Sequence, residues 1–354
     1  RRFPQDQYPL YMSYEPALDA FVESALTAGI FDPAELRTNR DDLLGAVQLA
    51  RRHGLQPGFV CYEPRGTSEA IFDRYPELRG SRIDHPGRSL QPRYALDIAN
   101  PRVLDHYAES LTRLMAEVPD LRYFVYWTQD SGSGLPFACR LYPGPNGSYL
   151  ARSKSIEQIN AEFTGALVRA GRKINPAFEV IMEIGHEYIP EERARITAAL
   201  PEGVTLSHPI DFDESALKDG HGAVVETYTP EDRAVNVEPY ITVTIAAGWD
   251  PEPLIAIPSP RQLAKKFPRL DRLKLRRHFA MGGTFAPPWV PFSINQELYA
   301  ELIREPQVDL AAFLRAMAEQ WCGGDNASSQ ALVTAWNLGD DALESWPKLN
   351  WYAA

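Results

Sequence analysis

Short apolar runs alternate with amphipathic segments along most of the chain. Near-continuous apolarity is typical of strands covered on both faces, as in a parallel sheet. Eight runs are candidate strands: PLYMSYEP at 9–16, GFVCYEP at 58–64, YFVYWTQD at 123–130, EVIMEIG at 179–185, VTLSHPID at 204–211, AVVETY at 223–228, PLIAIP at 253–258 and GTFAPPWV at 283–290. Their alternation with helices predicts an α/β fold, a (β/α)8 TIM barrel, although the run at 223–228 could instead be a loop strand.

Several helices between the runs are marked by their ends. Asn100 followed by Pro101 is typical of an N-cap and a first helical residue. Ser155 and Gln158 have the spacing of a capping box. A further helix is expected over 39–53, before Gly54.

The last part of the chain is helical in pattern. A second capping box begins at Ser293, and amphipathic spacing continues through Trp321 and Trp336. We therefore expect residues 1–300 to form a catalytic barrel and residues 301–354 a helical extension packed on it.

Composition and charge narrow the function classes. Apolar residues make up 44% and charged residues 23% of the 354 residues, as in a globular protein with a sizeable core. The net charge of −11 leaves no broad basic face, so we expect no nucleic-acid binding. The three cysteines have no CxxC spacing, which indicates neither a disulfide framework nor a zinc knuckle.

No apolar run approaches the roughly 20 residues that a membrane-spanning helix needs. The first residues, RRFPQDQYP, also lack the apolar region of a signal peptide. We therefore expect a soluble chain without a membrane partner, either cytoplasmic or, after processing, periplasmic or secreted.

The predicted strands end in acidic and aromatic residues. In a barrel the active site lies at the carboxyl ends of the strands. The residues at these ends are Tyr14, Glu15, Tyr62, Glu63, Trp127, Gln129, Asp130, Glu183, His186, Glu187, His208, Asp211, Glu226, Tyr228 and Trp289. Carboxylates beside flat rings suit glycoside hydrolysis, in which one acid protonates the leaving oxygen and a second carboxylate attacks or activates water. No glycine-rich phosphate loop occurs, so no nucleotide cofactor is expected.

Asp130 and Glu183 are the predicted catalytic residues. Asp130 follows the long apolar strand YFVYW and precedes a Gly/Ser turn, although an aspartate there could merely cap the turn. Glu183 lies inside an apolar run, where a carboxylate must be paired or functional to offset its desolvation.

Some of the remaining strand-end residues, and one loop arginine, are candidates for substrate binding, and most of them have a structural alternative. Glu63 could serve a turn, Glu187 an ion pair, His208 the core, Asp211 a helix cap, and both tryptophans the core. Arg93 lies on an arginine-rich loop over 80–93 that could grip a sugar carboxylate or simply be surface. The predicted substrate-binding set is Glu63, Arg93, Trp127, Gln129, Glu187, His208, Asp211 and Trp289.

A metal site is the main chemical alternative. Glu183, His186, Glu187, His208 and Asp211 offer oxygen and nitrogen ligands. They show no HxH or other recurrent ligand spacing, so we expect neither a metal nor another cofactor.

Four passages carry a family resemblance: AVQLARRHGLQPGFVCYEP, ALDIANPRVLDHYAESL, YFVYWTQDSGSG and PFSINQELYAELIREPQVDLAAFLRAMAEQW. With them the chain resembles barrel-type bacterial glycoside hydrolases related to α-glucuronidases and β-hexosaminidases. In hexosaminidase-like relatives, the resemblance implies an acidic pair at the end of the fourth strand, of which the second acid is the proton donor. Here the pair is Gln129–Asp130. Glutamine carries no charge to assist an acetamido oxygen, so a second protein carboxylate is required, and Glu183 is the candidate.

The leading hypothesis is an exo-acting glycosidase that acts on an oligosaccharide. A metal-dependent hydrolase and a non-catalytic carbohydrate-binding barrel are the alternatives. Chelation would separate the first alternative from the leading hypothesis, and turnover of aryl glycosides would separate the second. Whether the chain forms a homo-oligomer is left open.

Overall fold

The computed structural model describes most of the chain. The described residues are 17–64, 66–83, 91–127, 147–183, 190–209, 240–244, 258–265, 267–272, 278–281 and 294–345. They fall into two compact units, the first comprising the described residues up to His208 and the second those from Pro209 onward.

The first unit is built mainly from strands joined by helices. After a 3-10 turn at Leu18–Ala20, its elements are α1 (Pro33–Arg52), β1 (Gly58–Tyr62), α2 (Glu69–Arg74), a 3-10 turn at Pro76–Leu78, β2 (Arg79–Arg82), β3 (Tyr94–Leu96), α3 (Pro101–Glu117), β4 (Tyr123–Trp127), α4 (Tyr149–Arg152), α5 (Ile156–Arg172), β5 (Glu179–Glu183), α6 (Pro190–Ala199) and β6 (Val204–Pro209).

Four of these strands form a parallel sheet in the order β1, β4, β5, β6. Alternate residues such as Phe124 and Tyr126 pack in the core, and the Tyr126 ring meets Phe163 of α5 at 5.6 Å between centroids. Val125 and Ile181, at the intervening positions, are buried as well. Both faces of the central strands are therefore covered, as their continuous apolarity predicts.

Helices α3 and α5 begin at the residues that the sequence indicates. The Asn100 side chain accepts a hydrogen bond from the Arg102 amide at 3.0 Å, and Pro101 is the first helical residue. Ser155 caps α5 by accepting from the Gln158 amide at 3.3 Å. Because each helix leads into the next parallel strand, both helices run from the carboxyl edge of the sheet back to its amino edge.

An antiparallel hairpin of β2 and β3 lies between β1 and α3 in the chain. Its strands are short, and the sequence analysis did not predict them. The hairpin leads through Asp97 and Asn100 into α3, so it delivers the chain to the carboxyl edge of the sheet.

The second unit has a strand pair and a helical region. Its elements are β7 (Tyr240–Thr244), α7 (Pro260–Ala264), α8 (Phe267–Arg272), β8 (His278–Met281), α9 (Ile294–Arg304), α10 (Leu310–Trp321) and α11 (Asn326–Ser345). Strands β7 and β8 pair in parallel. Ile294, Leu314, Ala318 and Trp336 form a buried cluster that joins α9, α10 and α11.

The observed elements confirm part of the predicted fold. Strands occur in the runs at 58–64, 123–130, 179–185 and 204–211, and the end of the chain is helical. The runs at 9–16, 223–228 and 283–290 lie outside the described residues, as does 253–258 apart from its last residue. Strands β7 and β8 were not predicted. YITVT has only one face of strongly apolar residues, and HFAM is short and follows a basic segment.

The described chain is therefore a mixed α/β fold with a parallel sheet. Its first unit contains four parallel strands, and the described strands do not close into a barrel. Closure into eight strands and a boundary at residue 300 stay predictions. Of the helices that the structure describes, none is both long and apolar enough to cross a bilayer.

Candidate functional site

The carboxyl ends of the parallel strands are in register. Tyr62 pairs with Trp127, Trp127 with Glu183, and Glu183 with Ser207. Neighbouring strands lie about 4.8 Å apart, so the backbones of these residues form one row across the sheet. The row brings together the predicted residues Trp127 and Glu183, with His208 one residue beyond its end on β6.

The row stands at the carboxyl ends of strands whose preceding positions are buried on both sides of the sheet. Positions 126 and 182 are buried in the core with α3 and α5, and Val125 and Ile181, at the intervening positions, are buried as well. In barrel enzymes the carboxyl ends of the strands and the loops that follow them form the active site. The row is therefore the candidate site of the described sheet.

Five predicted site residues lie outside the described residues: Gln129, Asp130, Glu187, Asp211 and Trp289. Asp130 follows Trp127 by three residues in the chain, and Glu187 follows Glu183 by four. Their roles stay predictions.

Glu63 follows β1 and is buried, with 3% of its surface exposed. Its Oε1 accepts a hydrogen bond from the Leu18 amide at 3.0 Å, and its Oε2 accepts one from the Tyr107 hydroxyl at 2.7 Å. Burial, and then the neighbouring Glu63 carboxylate, raise the pKa of Tyr107 well above its ordinary value. These contacts tie the turn at Leu18 and helix α3 to the end of β1, and a substrate-binding role for Glu63 stays a prediction.

A cavity of about 240 Å³ adjoins Glu63. It is lined by the turn at Ala17–Ala20, the start of α1 and the chain after β1, and its polar lining includes Asp19, Glu35, Thr67 and Tyr107. Two of its lining residues, Glu63 and Tyr107, are joined by the hydrogen bond described above.

Arg93 is half-buried at the start of β3. Its carbonyl oxygen accepts a hydrogen bond from the Ile83 amide at 2.9 Å, which extends the pairing of β2 with β3. The loop at 84–90 lies outside the described residues, so the proposed grip on a sugar carboxylate stays a prediction.

A polar cluster around Asp97, at the carboxyl edge of the sheet, was not predicted from the sequence. Asp97 is 1% exposed, and its two oxygens accept hydrogen bonds from the Ala99 amide at 3.1 Å and the Ser148 hydroxyl at 2.5 Å. Lys154 donates to the Ala99 carbonyl at 3.2 Å and pairs with Glu162 at 2.5 Å. Burial raises the pKa of Asp97, although the hydrogen bonds from Ser148 and Ala99 oppose that effect. The sequence feature that could have indicated this cluster is the position of Asp97, between a short apolar run and the N-cap residue Asn100.

A second missed cluster has the residue types of a hydrolytic triad. The Ser24 hydroxyl lies 2.7 Å from His106 Nδ1, and His106 Nε2 lies 3.5 Å from Asp19 Oδ1. Ser24 is 1% exposed, and its oxygen accepts a hydrogen bond from the Leu26 amide at 3.0 Å. A buried hydroxyl that is already engaged by the backbone is inaccessible to a substrate, so this cluster anchors the chain before α1.

No group of three or more His, Cys, Asp or Glu side chains is positioned to hold a metal ion within the ranges that the structure describes. Of the candidate ligands, Glu183 and His208 lie within those ranges, whereas His186, Glu187 and Asp211 lie outside them.

Comparisons with known proteins show a similarity of fold, and they show it only among solved structures. The sequence matches no protein-family model, and no curated protein is significantly similar to it. Among solved structures, it is similar to a family 89 glycoside hydrolase from Clostridium perfringens in complex with PUGNAc, with a TM-score of 0.51 and 10% identity over 86% of this chain and 30% of that one. The same enzyme in complex with its substrate GlcNAc-α-1,4-galactose gives a TM-score of 0.51 and 10% identity over 91% of this chain and 32% of that one.

This likeness shows a glycoside-hydrolase-like fold, as the sequence resemblance implied at the general level. The chain spans about a third of the length of those structures. At 10% identity, the likeness does not assign a family within the glycoside hydrolases.

Proposed function

We propose that the chain is the catalytic part of a glycoside hydrolase, built on a (β/α)8 barrel, that cleaves a glycosidic bond with two carboxyl groups. The observation that carries this proposal is the register of β4 and β5. It sets Trp127 beside Glu183 at the carboxyl edge of a sheet whose fold is like that of a glycoside hydrolase. A sugar-cleaving site needs two carboxyl groups, and aromatic rings beside them can pack on the sugar.

In this proposal, Asp130 donates a proton to the departing oxygen. Glu183 either attacks the anomeric carbon or activates the water that attacks it. Asp130 follows Trp127, the last residue of β4, by three residues in the chain. If the two carboxyl groups are about 5 Å apart, Glu183 is the nucleophile of a retaining reaction. A separation of about 6.5–9.5 Å leaves room for water and makes Glu183 the base of an inverting one.

Gln129 favours two protein carboxylates over assistance by the substrate. An amide at this position cannot stabilise the positive charge that develops when an acetamido oxygen attacks the anomeric carbon. The substrate is a carbohydrate, attacked from its non-reducing end, and an N-acetylglucosaminide is one of the first to test because the similar enzyme has GlcNAc-α-1,4-galactose as its substrate.

Turnover of a panel of aryl glycosides tests the proposal. The panel contains α- and β-linked nitrophenyl glycosides of neutral sugars, N-acetylated sugars and uronic acids. We expect release of nitrophenol from at least one member and a loss of at least about 10²-fold in the Glu183→Gln variant. Glu179→Gln is the matched control, because Glu179 lies on the same strand at the amino edge, where it pairs with Arg122.

A chain that hydrolyses no member of the panel, and that releases no sugar from natural oligosaccharides, would contradict the proposal. Retained binding of oligosaccharides would then favour the non-catalytic carbohydrate-binding alternative. Equal rates for Glu183→Gln and Glu179→Gln would show that Glu183 is misassigned.

A further inference from the structure

We propose that Tyr149 is a sugar-stacking platform at the rim of the carboxyl edge, held in place by the hydrogen bond between Ser148 and Asp97. The inference rests on the proposed glycosidase function and adds a subsite to it. It implies a substrate longer than one sugar, with a distal ring lying on the tyrosine.

The position of Tyr149 follows from the topology of the first unit. Tyr149 is the first residue of α4, between β4 and α5 in the chain. The preceding Ser148 bonds to Asp97, which lies just before the N-cap of α3. Since α3 begins at the carboxyl edge of the sheet, Ser148 and Tyr149 lie at that edge too.

The backbone around Tyr149 is held by partly buried polar contacts. The Ser148 hydroxyl donates to Asp97 Oδ2 at 2.5 Å, and Ser148 Oγ accepts a hydrogen bond from the Ala151 amide at 3.0 Å. Asp97 is itself held by the Ala99 amide. Ala151, two residues after the tyrosine, is fully buried. The α4 turn is thus anchored on both sides of Tyr149, which removes most of the backbone entropy that ligand binding would otherwise cost.

The side chain of Tyr149 is exposed in spite of this anchoring. Its relative exposure is 86%, the highest among the large hydrophobic side chains of the described residues, and the adjacent Leu150 is 39% exposed. A tyrosine has only two side-chain torsions, so it presents a flat apolar face at little entropic cost. Such a face suits the C–H face of a pyranose ring, with the hydroxyl available for a hydrogen bond.

The size of the exposed surface favours a sugar over a protein partner. One tyrosine contributes at most about 250 Å², and Leu150 adds a smaller area. A stable protein interface buries about 800 Å² on each partner. The apolar surface that the described residues Tyr149 and Leu150 expose is therefore the size of a sugar ring or two.

The test compares wild type with Tyr149→Ala, Tyr149→Phe and Tyr149→Trp. Two substrates are used for each variant: an aryl monoglycoside that the wild type hydrolyses, and the oligosaccharide with the same terminal sugar and two to four further residues. We expect Tyr149→Ala to raise KM for the oligosaccharide by about two- to tenfold, within the usual range for an aromatic stacking contact. KM for the monoglycoside should be unchanged, and Tyr149→Phe and Tyr149→Trp should retain the wild-type KM for the oligosaccharide.

Leu55→Ala is the matched control. Leu55 is 61% exposed and lies between α1 and β1, at the amino edge of the same sheet. Its replacement should change neither KM. Thermal unfolding of each variant verifies that the fold is retained, and Tyr149 should be replaceable without loss because its ring is exposed.

Two outcomes would overturn the inference: an unchanged KM of Tyr149→Ala for the oligosaccharide, or an equal rise for both substrates. A wild-type chain that hydrolyses no glycoside contradicts the proposed function instead. In that case, binding to a printed array of mono- to hexasaccharides tests whether Tyr149 is a sugar-stacking platform. Weaker binding of the longer glycans by Tyr149→Ala supports the platform, and identical binding by wild type and variant refutes it.

Discussion

At the scale of single residues, burial changes the chemistry of His106. The ring is 3% exposed, with Ser24 at Nδ1, Asp19 facing Nε2 and Glu109 nearby. Burial lowers the pKa of His106 from 6.5 to about 4, although Glu109 opposes that shift. The folded protein therefore excludes a proton that the unfolded chain binds between these two values, so the free energy of unfolding falls as pH decreases from about 6.5 to about 4.

We expect His106→Gln to remove this part of the pH dependence. The shift of the pKa to about 4 corresponds to roughly 3 kcal/mol of stability that is fully present above about pH 6.5. Urea denaturation at pH 7 and pH 4 should show that wild type loses about that much more free energy of unfolding than His106→Gln does.

His53→Gln controls for the exchange of a histidine for glutamine, because His53 is the exposed C-cap residue of α1. Equal losses for wild type and His106→Gln would contradict the role assigned to burial.

At the scale of elements, the last turn of helix α5 packs closely against Phe178, which lies in the segment that leads to β5. Gly171 lies in the last turn of α5, and a Cβ placed there would overlap ring carbons of the fully buried Phe178. Gly45 lies inside α1, and a Cβ placed there meets nothing within 4 Å. The two helices thus contain glycines for different reasons.

The two glycines predict substitutions of opposite sign. We expect Gly171→Ala to lower the free energy of unfolding by about 1–3 kcal/mol, because Phe178 must move within a packed core. Gly45→Ala should raise it by about 0.5–1 kcal/mol through helix propensity. Urea denaturation of both variants against wild type measures this, and a Gly171→Ala variant as stable as wild type would contradict the packing described.

The same elements show which parts of the fold could be predicted from the sequence. Strands β1, β4, β5 and β6 could be predicted because each lies in a short apolar run between helical patterns, and helices α3 and α5 because Asn100 and Ser155 mark their starts. Helix α1 begins at Pro33, six residues earlier than expected, because Asp32 caps a first turn that lacks apolar periodicity. Strands β2 and β3 depend on pairing with one another, which a local pattern does not indicate.

The candidate site was predictable only in part. Glu183 and Trp127 were predicted because each ends a recognisable strand, and the parallel register places their backbones side by side. Their roles in a site stay predictions. Asp97 and Ser148 were missed because their contact spans 51 residues of sequence. Long-range contacts of this kind have no counterpart in periodicity or capping patterns.

At the scale of the whole molecule, the proposed chemistry depends on carboxyl groups alone. We therefore expect turnover of a glycoside substrate to survive exhaustive dialysis against a chelator such as EDTA. The rate should remain within about twofold of the untreated enzyme, since no step of the proposed general acid/base chemistry uses a metal. Loss of activity that zinc or manganese restores would favour the metal-dependent hydrolase alternative.

The most direct test of the central claim is the dependence of the rate of Asp130→Asn on the leaving group. Aryl glycosides with phenols of graded acidity separate protonation from the other steps. We predict that Asp130→Asn slows poor leaving groups by about 10²–10⁴-fold and leaves the most activated ones nearly unaffected, because an acidic phenol departs without a proton donor. Asp120→Asn, an exposed aspartate before β4 at the amino edge, should match wild type throughout. A uniform reduction across the series, or none, would contradict the assignment of Asp130 as the proton donor.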